Sequence, residues 1–132
     1  MRSCLAGVAY FAIVFTVGFI LGTIRVVIIA PRTGALVAVA LELPLILCAS
    51  WLATKFLVRR FQAPPHASDR LTMGAIAFVL TLAAEMVFGA LVFGQPIGAT
   101  IGKMALPVGM LGLAGQIAFA TMPYLEGRFA RQ

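Results

Sequence analysis

Apolar residues run along this chain in four long blocks, each closed by a short polar or Pro/Gly break. A helix of about 20 apolar residues crosses the hydrocarbon core of a bilayer. The blocks therefore predict spanning helices over about residues 5–30, 35–57, 71–93 and 97–124. Pro31-Arg32-Thr33-Gly34 reads as a tight turn, which makes the first two helices an antiparallel hairpin. Pro44 inside the second block predicts a kink. A polar loop is expected over residues 58–70, holding Arg59-Arg60, Pro64-Pro65 and His66, with Ser68 or Asp69 as a helix N-cap. Gly94-Gln95-Pro96 breaks the third block. The fourth passes Lys103 and Pro107 and closes after Pro123. The expected fold is all-α: one integral membrane four-helix transmembrane bundle over residues 1–132.

Composition strengthens this reading. Of 132 residues, 62% are hydrophobic and only 11% charged, and the mean hydropathy is +1.07. That charged fraction is too small to cover a soluble domain of this size. The lipid bilayer is the expected solvent, and one domain suits the length. The net charge of +6 does not point to nucleic acid, because the excess flanks the apolar blocks, where it orients helices and meets lipid headgroups. Arg2, Lys55, Arg59, Arg60, Arg70, Arg128 and Arg131 fall on one side of the expected bundle. Arg32, with Arg25 and Lys103, falls on the other. The positive-inside rule then puts both termini and the 58–70 loop in the cytoplasm, N-in and C-in, at the cell inner (plasma) membrane.

The chemistry sits in the exceptions to the pattern. Arg25, Glu42, Glu85 and Lys103 interrupt apolar blocks. A charge in hydrocarbon is costly, so such residues face the bundle interior, find partners and mark function. At about 1.5 Å per residue, Arg25 and Glu42 lie at similar depths on the two arms of the first hairpin. Glu85 lies near that level on the third helix, so an intramembrane polar cluster of Arg25, Glu42 and Glu85 is expected. Whether Arg25 pairs with Glu42 or Glu85 is open from the sequence. Lys103 is close enough to the expected interface to snorkel.

Helices in lipid associate through small residues that let backbones approach. Gly18, Gly22 and Arg25 share one face of the first helix, and Ala77, Thr81, Glu85 and Gly89 share one face of the third. On the expected fourth helix Gly98, Gly102, Ala105, Gly109, Gly112 and Gln116 make a 4-3-4-3-4 seam of small residues that ends on a polar amide. Cys4 and Cys48 are far apart and lack a Cys/His cluster, so neither a disulfide nor a metal site is expected. No cofactor motif, nucleophile elbow, zinc-protease signature or P-loop is present. A non-enzyme is expected.

The stretch Leu21-Gly22-Thr23-Ile24-Arg25, followed by Ala30-Pro31-Arg32, Gly34 and Leu41-Glu42-Leu43-Pro44, resembles small uncharacterised four-helix bacterial inner-membrane proteins. The resemblance covers the first half of the chain and implies no activity. Two functions fit the pattern. The first is an accessory or assembly subunit, or scaffold, whose glycine faces dock a membrane-protein partner. The second is a homo-oligomeric, proton-coupled small-solute transporter or ion channel that uses an intramembrane carboxylate.

Overall fold

The computed structural model describes residues 1–62 and 66–130, and these are all-helical. The helices are α1 (Arg2–Ile24), a π-helical turn (Arg25–Ile29), α2 (Ala30–Thr33), α3 (Ala35–Phe61), α4 (Ala67–Phe93), α5 (Ile97–Met104) and α6 (Pro107–Phe129). Four helical stretches are long and apolar enough to cross a membrane: Arg2–Thr33, Ala35–Phe61, Ala67–Phe93 and Pro107–Phe129. Pro64-Pro65 of the expected loop, and Arg131 of the expected basic side, lie outside the described residues.

Backbone chemistry explains where the helices depart from the expected spans. The first helix does not stop before Pro31. It runs on to Thr33 because Pro31 falls in the first turn of α2, where a missing N–H costs nothing. The turn is left to Gly34, whose φ of +86° suits a residue without a Cβ. Gly94, at φ +60°, ends α4 in the same way. α4 opens at Ala67 after His66, and neither Ser68 nor Asp69 caps it. Asp69 instead accepts a hydrogen bond from the Ser3 hydroxyl of α1 at 2.9 Å.

The largest departure concerns the fourth span. Residues 97–124 are not one helix: α5 ends at Met104, and α6 begins at Pro107. Proline lacks an N–H and drives the residue before it away from the helical region; Leu106 accordingly has ψ 155°. The last long helix is Pro107–Phe129, and α5 is a short separate helix between α4 and α6.

Around the bundle the order is α1, α3, α6, α4, each packed on the next and α4 on α1. The sequence neighbours α3 and α4 stand on a diagonal, with no backbone approach among the described residues. The packed core lies in the half that holds the chain ends: Ala6, Tyr10 and Val14 of α1, Ala53 and Leu57 of α3, Met73 and Ala77 of α4, and Phe119 of α6. Glycines permit close backbone approach there. Gly74 of α4 lies against the Ala120 carbonyl of α6, and Gly7 of α1 against the Met73 carbonyl of α4. Tyr10 is fully buried and reaches across the other diagonal to donate its hydroxyl to the Phe119 carbonyl at 2.7 Å. At this end the buried Arg70 pairs with Glu126 of α6 at 3.0 Å.

Candidate functional site

The half of the bundle toward Gly34 is packed differently. There the four long helices part around an open cleft of about 550 Å³, walled by valines, phenylalanines and glycines. That volume is in the range of small-molecule sites. Arg25, Glu42, Glu85 and Gln116 all line it, one from each side of the bundle.

The local sequence explains how each polar group arrives. Arg25 opens the π-helical turn, in which the Ala30 N–H reaches back to the Arg25 carbonyl, one residue further than in an α-helix. Such single wide turns are frequent at functional sites. Gly22 lies one turn before Arg25, and a Cβ there would stand 3.9 Å from both the Arg25 guanidinium and a Glu42 carboxylate oxygen. Gly22 therefore lies directly beside the ion pair, at ordinary contact distance. Arg25 Nε lies 3.1 Å from Glu42 Oε2, with both side chains largely screened from solvent. The hairpin geometry thus pairs Arg25 with Glu42.

Glu85 takes a different partner. The Gln116 side-chain amide of α6 donates to Glu85 Oε1 at 2.6 Å. The remaining Gln116 oxygen is buried with no hydrogen-bond partner among the described residues. Thr81, one turn from Glu85, donates its hydroxyl to the Ala77 carbonyl of its own helix, so it does not compete for the carboxylate. The cleft therefore holds two adjacent polar units, an ion pair (α1–α3) and a carboxylate–amide pair (α4–α6), in an apolar wall.

The expected glycine seam is divided among different roles. The chain break before Pro107 separates Gly98 and Gly102 on α5 from the α6 glycines. Both face open space within the monomer. Gly109 packs against the Lys103 and Met104 backbone in the connection to α5. Gly112 has open space before it and lines the cleft, as does Gly18, which makes an ordinary contact with Ile46. Gly115, outside the expected seam, is the α6 glycine that meets α3, through Leu43. Lys103 is exposed on α5 and takes no part in the cleft.

No group of three or more His, Cys, Asp or Glu side chains that could hold a metal ion occurs among the described residues. Comparison with family models, curated proteins and solved structures finds no match to this chain. Sequence reasoning missed three pairings at the site and below it. Gln116 was visible only as a polar end to a seam, not as the partner of Glu85. Arg70 read as a flanking charge and Glu126 was not singled out, although the two pair. Tyr10 was not expected in the core, although its spacing with Ala6 and Val14 is that of a buried helical face.

Proposed function

We propose that this chain is a non-enzymatic, multi-pass membrane protein that moves a small solute, acting as a homo-oligomeric, proton-coupled transporter with the cleft as its solute site. The observation that carries this reading is the cleft itself. It gathers the three acidic and basic groups least tolerable in hydrocarbon and leaves solute-sized space beside them. A purely structural ion pair needs no such space. Glu85 is the proton-exchanging carboxyl, and the Arg25–Glu42 pair shapes the site. Four helices leave the cleft open, and a second copy supplies the missing wall. The distribution of Lys and Arg supports a cytoplasmic location for both termini, at the inner (plasma) membrane.

A second reading has its own observation. Gly98 and Gly102, with exposed Ile97 and Ile101, give α5 a small-residue apolar surface unused within the monomer. An accessory subunit would dock a larger membrane partner there.

Native mass spectrometry of the tagged protein, gently extracted from its own membrane, separates the two. A homo-oligomer is the expected result. A heteromer of fixed stoichiometry would overturn the transporter reading and establish the accessory one.

A further inference from the structure

The cleft also has a charge preference. Arg25, Glu42 and Glu85 are the ionisable side chains that line it. Arg25 is held 3.1 Å from Glu42, so those two formal charges cancel and Glu85 remains as the uncompensated one. Part of the donor capacity is engaged: the guanidinium Nε lies against Glu42, and the Gln116 amide is bonded to Glu85. The hydroxyls of Thr23 and Thr81 donate to carbonyls one turn back on their own helices. With one guanidinium against two carboxyl groups in the lining, the excess formal charge is negative, which suits a positive solute and disfavours a negative one.

The walls narrow the class further. Phe15, Phe19, Phe88 and Phe93 line the same space, and Phe88 stands edge to face with both Phe19 and Phe93, at 5.6 Å and 6.0 Å between ring centres. Aromatic faces attract organic cations and give an apolar body its contact area. A bare inorganic ion fits poorly, since calcium takes about 6–8 oxygen ligands and magnesium demands near-ideal octahedral geometry. We propose that the cleft binds a hydrophobic organic monocation, its charge held by Glu85 and its body by the phenylalanines. This rests on the reading of the cleft as a solute site.

The test uses two probes of nearly equal shape and opposite charge, tetraphenylphosphonium and tetraphenylborate, titrated onto the purified full chain in nanodiscs. Empty nanodiscs serve as the blank. Tetraphenylphosphonium should bind, Glu85→Gln should weaken it roughly tenfold or more, and Glu85→Asp should stay within a few-fold of wild type. Tetraphenylborate should show no protein-dependent binding. Gly112→Phe puts a ring into open cleft space and should abolish the tetraphenylphosphonium signal. All variants are first required to match wild type in elution and melting temperature, and the contrast between tetraphenylphosphonium and tetraphenylborate on wild type carries the charge test if Glu85→Gln does not fold. Equal binding of tetraphenylborate, or full binding to Glu85→Gln, would overturn the cation assignment while leaving the cleft as a solute site. Binding of neither probe, or undiminished binding to Gly112→Phe, would overturn both.

Discussion

Gln116 on α6 donates its side-chain amide to Glu85 on α4 at 2.6 Å, tying together two antiparallel helices at the level of the cleft. Removing the amide leaves a half-buried carboxyl without its partner. Gln116→Leu should therefore destabilise the bundle by about 1–3 kcal/mol, read as the loss of melting temperature in nanodiscs. Gln116→Leu combined with Glu85→Leu should restore much of that loss, because neither polar group is then left unsatisfied.

The Arg25–Glu42 pair makes a parallel prediction on the other side of the cleft. Arg25→Met alone and Glu42→Met alone each strand a charge of opposite sign. With both side chains partly screened, each single change should cost about 1–3 kcal/mol, between exposed and fully buried pairs. The double change should be milder than either single one. A simple sum of the two single effects in the thermodynamic cycle would show that the pair is not coupled.

The glycines fall into two classes that substitution should separate. A Cβ on Gly74 would overlap the Ala120 carbonyl, a backbone atom that cannot swing aside. Gly74→Ala should thus force α4 and α6 apart, at about 1–3 kcal/mol or more. Gly98→Ala and Gly102→Ala meet open space and should be neutral or stabilising by up to about 1 kcal/mol in the isolated protein. Thermal unfolding of the three variants checks the contrast. A loss of homo- or hetero-oligomer in Gly98→Ala or Gly102→Ala would place a partner on α5.

Tyr10 closes the packed half of the bundle. Tyr10→Phe keeps the ring and its contact with Phe119, 5.8 Å between centres, but removes the hydrogen bond to the Phe119 carbonyl. It should cost about 1–2 kcal/mol and leave binding in the cleft unchanged, since Tyr10 does not line it. Unfolding and probe titration on the same sample check both halves of that statement.

The hydrophobic pattern made the helices legible, because in lipid the backbone has few ways to satisfy itself and length alone selects spanning segments. Depth counting was enough to bring Arg25 level with Glu42, since both are measured from the same turn. The fourth helix misled for a local reason. A seam of glycines at helical spacing continues in sequence across Pro107, but the chain cannot continue the helix through Leu106. The partner of Glu85 was illegible because Gln116 meets it across α4 and α6, and register between those helices is set by contacts such as Gly74 on Ala120. The cleft itself depends on how far four helices part, which follows from side-chain packing in the opposite half. No spacing rule in one chain reports it.

The most direct test of a proton-coupled solute site at Glu85 is flux in proteoliposomes. Wild-type and Glu85→Gln proteins are reconstituted at equal density and challenged with a pH gradient and a panel of small cationic, neutral and anionic amphipathic solutes. Glutamine keeps the size of the side chain and an oxygen that accepts from Gln116, so the variant should remain folded. The account predicts gradient-dependent movement of at least one solute by wild type, with a matching proton signal, and none by Glu85→Gln. Equal flux from both proteins, or no flux above protein-free vesicles for any solute, would contradict it.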